Sequence, residues 1–276
     1  MKIFKILILI IFTTSCSTFQ TYEEQFNKCI NKFSTSNNKS LPTSEILVVG
    51  HGYGSHEDKN TMFAPNFLEY LENNNKISNY IGITGDFVRF NTKEYLLEAK
   101  NYIENNFQDY FIAPGNHEVI NNNNFYDVFG NKTYHKTFDN FELIAANFSN
   151  KDWLPSNDDK LEINNIIKNS KRETVILLSH QIFWFKDINE EIVPNGYDLL
   201  EGEMSRNSLS WLNYDEKKLI VISGDYGAWG DKAYCNDSLK NTIFIAEGLN
   251  NSTKDTIIKI VDTDNGFYLE GINLSD

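Results

Sequence analysis

Two short apolar runs, each stopping at a polar cluster, constrain this 276-residue chain most. Tyr80-Ile81-Gly82-Ile83-Thr84 stops at Gly85-Asp86. Tyr110-Phe111-Ile112-Ala113-Pro114 stops at Gly115-Asn116-His117-Glu118. Continuous apolar runs bounded by turn residues read as buried strands. Two such strands put a carboxylate, an amide oxygen and an imidazole at one sheet edge. Open α/β sheets build their sites at that carboxyl edge.

The surrounding pattern alternates. Residues 46–49 read as a strand ending at Gly50, and 174–178 as one ending at Ser179-His180. A third, 219–222, ends at Ser223-Gly224-Asp225. Helical spacing covers 63–73, where Phe67, Leu68 and Leu71 share a face. It also covers 93–107, a brief stretch at 125–129, and 161–168. Residues 134–138 and 141–147 read as a hairpin around Asp139-Asn140. The strands 242–246, 256–261 and 267–272 come last. Strands and helices alternating first, with strands at the end, predict an α/β four-layer sandwich: two mixed β-sheets flanked by helices. Residues 44–276 form one domain with a sizeable core. A short helix over 22–33 and a linker over 34–43 precede it.

Five strand ends carry polar residues: His51-Gly52-Tyr53-Gly54, Gly85-Asp86, Gly115 to Glu118, Ser179-His180-Gln181, and Gly224-Asp225-Tyr226-Gly227. Each alone is an ordinary turn. Five in order resemble the motifs of the calcineurin-like metallophosphoesterases, over about residues 45–272. The resemblance implies a two-metal centre that hydrolyses phosphate esters by in-line attack of a metal-bound hydroxide. It implies Asp86 as the bridging carboxylate, with Asn116 and His180 on the second metal. His117 would act on the phosphate and leaving group, oriented by Glu118, and Gln181 stands where many members carry a second histidine. Carboxylate, imidazole and amide ligands suit Mn, Zn or Fe, and a metal pair about 3.5–4 Å apart needs a bridging carboxylate. Arg89 is either a phosphate contact or a surface arginine.

Two motifs depart from the family. The first is normally Asp-x-His; His51 and Tyr53 stand there. The last is normally Gly-His-x-His; Asp225 and Gly227 replace the histidines. One carboxylate is lost and one gained, which points to a swapped ligand set. Asp86, Asn116, His180 and Asp225 would serve one metal. Asp86 and His51 would serve the other, with Tyr53 as ligand or substrate contact. Phe183, Trp184, Trp211 and Trp229 are either loop packing or a sugar- or lipid-facing wall. The 186–214 insert reads as a lid or a substrate loop.

Residues 1–15 read as a leader: Lys2 and Lys5, then an apolar core too short to span a bilayer. Thr13-Thr14-Ser15-Cys16 resembles a bacterial lipoprotein cleavage box, with an ordinary secretory signal as the alternative. Lipid on Cys16 would anchor a polar arm, 16–43, to the cell envelope. Ser17 leans towards the periplasmic face of an outer membrane if the cell is Gram-negative. The net charge of −13, which becomes −13 − 2 = −15 when the leader takes Lys2 and Lys5 with it, argues against nucleic acid as a partner. Cys29 and Cys235 either pair, tying arm to domain, or stay reduced. A phosphorylated small molecule or an envelope glycan or lipid is then the expected partner. The alternative is a catalytically inactive glycan- or protein-binding module on the same fold. A serine hydrolase built on Ser55 lacks the Gly-x-Ser-x-Gly elbow.

Overall fold

The computed structural model of the chain describes residues 21–57, 59–74, 78–119, 122–130, 133–149, 154–184, 206–212, 214–227 and 232–275. The leader, Cys16, Trp229 and most of the 186–214 insert lie outside the described residues.

Two mixed sheets face each other. In the first, β1 (Pro42–Gly50), β2 (Tyr80–Thr84) and β3 (Asp109–Ile112) run parallel, and β10 (Thr256–Thr263) and β11 (Gly266–Asn273) extend the β1 edge antiparallel. The second has the order β4 (Tyr134–Thr137), β5 (Phe141–Ala145), β6 (Thr174–Ser179), β7 (Lys218–Ser223), β9 (Thr242–Ala246), β8 (Tyr234–Asn236). Its inner four strands are parallel and its two edges antiparallel.

The inner strands β6, β7 and β9 of the second sheet are nearly continuous apolar runs because both of their faces are covered. With period two, Ile176, Leu178, Ile220 and Ile222 enter a core shared with Ile81, Ile83 and Ile112 of the first sheet. Val175, Leu177, Leu219 and Val221 point the other way, onto Ile163 and Ile167 of α6 (Asn157–Asn169). On the first sheet's side, α2 (Pro65–Asn73) and α3 (Lys93–Asn106) bury Phe67, Leu71, Leu96, Ala99 and Ile103 in the shared core. Helices therefore flank the paired sheets, and two short ones, α4 (Asn116–Val119) and α5 (Asn124–Phe129), lie between β3 and β4.

Some boundaries move, each for a local reason. Helix α6 starts before residue 161, because Ser156 and Asp159 form a capping box. The first strand starts at Pro42, so 34–43 is only in part a linker. The N-terminal helix α1 (Tyr22–Ile30) is docked on the sandwich. Cys29 pairs with Cys235 of β8 across a Cα–Cα distance of 6.0 Å. Just beyond α1, the Asn31 amide donates to the Leu269 carbonyl and accepts from the Leu269 N–H, as a neighbouring strand would. One side chain thereby blunts part of the open edge of β11. Strand β8 is polar and three residues long, too short to show a period.

The aromatic residues 183 and 184 pack inside. Trp184 is fully buried and its indole N–H donates to Ser223 Oγ; Phe183 is buried against Phe148 and Trp211. They form core rather than a substrate-facing wall.

Candidate metal centre

Strand register sets the site. Gly50 lies level with Thr84 in one sheet, and Ser179, Ser223 and Ala246 lie level in the other. The residues that follow these ends meet on one rim. The two rims touch through backbone: a Cβ on Gly224 would stand 2.0 Å from the Thr84 carbonyl oxygen. Only glycine permits that approach. Gly85, at φ +84°, is a second such position, since a Cβ there would strike the His180 ring at 2.4 Å.

His180 is the centre of the arrangement. Its Nδ1 lies 2.9 Å from the Thr84 carbonyl oxygen, which can only accept, so Nδ1 carries a proton. Its Nε2 faces Asn116 Oδ1 at 3.2 Å and one oxygen each of Asp86 and Asp225 at 3.5 Å. In the neutral tautomer four sets of lone pairs would converge there. Burial opposes protonation of His180, but Asp86 and Asp225 outweigh it and its pKa is raised. A proton on His180 offsets one of the two carboxylate charges; a divalent cation would offset both. One oxygen or nitrogen from each of Asp86, His180 and Asp225 lies within 4.8 Å of the others, and all three residues are buried.

Asp86 divides its two oxygens. Oδ1 accepts from the His117 backbone N–H at 3.1 Å, whereas Oδ2 is buried without a hydrogen-bond partner. Burial disfavours the carboxylate, but His180, His117 and His51 outweigh it and hold its pKa below the ordinary value.

His51 is 1% exposed. Its Nδ1 donates to the Leu249 carbonyl at 2.8 Å, and its Nε2 is buried without a partner. Burial lowers its pKa to about 4, so Nε2 offers a lone pair at neutral pH. A backbone carbonyl fixing one ring nitrogen while the other stays open is how metal-binding histidines are commonly held. His51 and Asp86 also have φ of 45° and 52°. Such left-handed backbone costs a non-glycine residue about 1 kcal/mol or more, and it clusters at functional sites. Carboxylates, imidazoles and an amide oxygen fit Zn, Mn or Fe.

No protein-family model matches the sequence, and no curated protein matches it. Solved structures do. A purple acid phosphatase from yellow lupin (Lupinus luteus) seeds is similar with a TM-score of 0.61 and 13% identity, over 88% of this chain and 53% of that chain. The chain has the metallophosphoesterase fold. It spans about half the length of the lupin enzyme. A phosphopantetheinyl hydrolase from Mycobacterium tuberculosis is also similar (TM-score 0.45, 10% identity, 76% of this chain and 92% of that one). So is a Vps29 mutant from Entamoeba histolytica (TM-score 0.37, 13% identity, 83% and 98%).

On this metallophosphoesterase scaffold the expected residues fall into two groups. Asp86, Asn116, His180 and Asp225 converge. His51, near enough to Asp86 to act on its pKa, packs against Tyr53, whose ring centroid lies 4.7 Å from that of His51 and 4.9 Å from that of His117. The Tyr53 hydroxyl is paired with His56 Nδ1 at 3.0 Å. Burial and then Asp86 raise its pKa, so the free protein holds a phenol there. Arg89 spans two loops. Its Nη2 donates to the His56 carbonyl, and its own carbonyl accepts from His117 Nδ1 at 2.7 Å. That bond, and not Glu118, orients the His117 imidazole. Gln181 turns its Oε1 to Ser149 Oγ at 2.8 Å.

Glu118 instead joins backbone. It accepts from the N–H groups of Asp86, Val88 and Gly115, and burial raises its pKa to about 7. Glu247 does the same across the sheets, accepting from Gly50 N–H and Thr84 Oγ1; burial raises it to about 7 as well. Glu247 gave no signal beyond following an apolar run at Ala246.

Proposed function

We propose that this chain is a metal-dependent phosphate-ester hydrolase, exported and tethered to the cell envelope by lipid on Cys16. The observation that carries the catalytic part is the convergence of Asp86, Asn116, His180 and Asp225 on one buried point beside His117. A bound divalent ion supplies Lewis acidity there, neutralising phosphoryl charge and making water more acidic. The chain's own residues do the rest. Asp86 holds the His117 backbone through Oδ1. The Arg89 carbonyl fixes His117 Nδ1, leaving Nε2 to deliver a proton to the leaving oxygen. Glu118 and Glu247 hold the backbone of the rim in register.

Export is supported by the leader-like start and by the Cys29–Cys235 pair, a bond of oxidising compartments. Phosphorylated small molecules, or phosphorylated envelope glycans and lipids, are then the accessible substrates. The rival reading, an inactive binding module, draws on the thin ligand supply around His51. The deciding experiment is metal content of chelator-free protein, with phosphomonoesterase and phosphodiesterase assays on the same sample. Bound metal with turnover supports the enzyme. No metal and no turnover after Mn or Zn is supplied leaves the binding module. Incorporation of labelled fatty acid that survives Cys16→Ser would refute the anchor.

A further inference from the structure

A cavity of about 350 Å³ opens directly beside the candidate acid. Asn116 and His117 form its inner wall; Phe90, Asn91, Thr92 and Asn122 form the outer one, and Arg89 lies between. Resting on the phosphoesterase reading, we propose that this cavity receives the leaving group, and that the leaving group is a sugar.

The position follows from His117. A general acid must stand within hydrogen-bond reach of the oxygen that departs. The space on its open side is therefore where the alcohol lies. In the hydrolysis, water adds to phosphorus and the P–O bond to the sugar breaks. The sugar oxygen takes a proton from His117, which recovers one from the water.

The class of alcohol follows from the walls. Phe90 is 56% exposed and offers a ring face at the rim. The C–H face of a sugar ring stacks on such a surface, and the Arg89 guanidinium already sits 5.7 Å from its centroid. Asn122 Oδ1 and Thr92 Oγ1 already accept from the Asn124 and Tyr95 N–H groups, but the second amide hydrogen of Asn122, the Asn116 amide nitrogen and the Thr92 hydroxyl can still donate, matching the oxygens of a sugar's hydroxyls. A lipid alcohol would need apolar walls, and among the described residues Phe90 is the one hydrophobic residue lining the cavity. A second phosphate would need free cations. Among the described residues Arg89 is the one lysine or arginine lining it, and its guanidinium is engaged with the His56 carbonyl.

The outer wall is also held in place beforehand. The Asn91 carbonyl accepts from the Asn122 and Asn124 amides at 2.9 and 3.0 Å. The Arg89 N–H donates to Thr61, and the Thr92 N–H to the Phe90 carbonyl at 2.7 Å. A loop pinned in this way loses little freedom on binding.

The test compares a hexose phosphate, a nucleoside 5′-monophosphate and glycerol 3-phosphate, each also as its methyl diester, with wild type, Phe90→Ala and Phe90→Tyr. Both ring-bearing sources contain the sugar, and their ratio tells which is used. Wild type is expected to favour at least one of them over the glycerol ester by about tenfold in kcat/KM, roughly the scale of one aromatic contact. Phe90→Ala should erase that ratio, mainly through KM, and Phe90→Tyr should restore it. Equal rates on ring and glycerol esters, or a ratio untouched by Phe90→Ala, would overturn the inference and leave the hydrolase standing. Turnover of none of the six esters with Mn or Zn present would sink the hydrolase reading, and the sugar site with it.

Discussion

Around His180, three oxygens from three different strand ends face one imidazole nitrogen at 3.2 to 3.5 Å. Around His51, an equally buried imidazole has aromatic neighbours: Tyr53 at 4.7 Å and His56 at 5.8 Å between ring centroids. Both histidines lock their tautomer on a backbone carbonyl. What differs is the charge opposite them. Two carboxylates serve the first, so a cation there replaces strong mutual repulsion. For the second, burial outweighs the one carboxylate that raises its pKa, Asp86, and the hydrogen bond to the Leu249 carbonyl, which raises it too. Affinity should therefore be unequal: one tight position at His180, one weak position at His51.

The harshest trial of that contrast is His180→Ala. It should strip the tight ion and reduce turnover by about 10³-fold or more, as loss of electrostatic stabilisation commonly does. Elemental analysis showing a full metal complement would dissolve the comparison. His117→Ala comes next. It should cost kcat about 10²–10⁴-fold while leaving both metal positions as they were. A variant that loses metal would make His117 a ligand and its proton role wrong.

The third trial concerns the buried carboxyl that joins the two rims. Burial raises Glu247 to about 7 from an ordinary 4.5, so folding takes up a proton between those values. Its contribution is fully present below about pH 4.5 and is lost as pH rises through 7, worth about 3 kcal/mol in metal-free protein. His51 runs the other way. Held neutral with a pKa near 4 instead of 6.5, it favours folding above 6.5 and loses that as pH falls through 4. Thermal melts should thus show Glu247→Gln gaining on wild type between pH 5 and 8. A constant gap would mean that Glu247 does not titrate there.

The gentlest trial is His51→Ala. It should abolish only a second, weaker metal equivalent in a calorimetric titration and slow turnover about tenfold, or roughly 1.4 kcal/mol. Loss of the tight ion as well would show that the two positions are one.

Much of the architecture was legible. The strands 174–178, 219–222 and 242–246 announce themselves because both faces are buried, which leaves a continuous apolar run. The hairpin at Asp139-Asn140 is equally plain, since these turn residues stand between Phe138 and Phe141 at the junction of two short strands. Helix α6 was placed late because its first turn is polar, and the Ser156 cap is a local hydrogen bond rather than a hydrophobic pattern. The pairing of Cys29 with Cys235 could be posed from the chain but not decided.

The sequence by itself determined which groups stand at strand ends: Asp86, Asn116, His180 and Asp225 each follow an apolar run, and strand direction sends them all to one rim. Only the tertiary structure decided which of them face each other. It turned Asp86, Asn116 and Asp225 onto His180, gave His117 to the Arg89 carbonyl, and brought Glu247 across to the first sheet. The reason is physical. Burial periodicity is local and is written along the chain, whereas the distance between two rims depends on how closely two sheets can approach. Here that approach rests on a missing Cβ at Gly50 and Gly224.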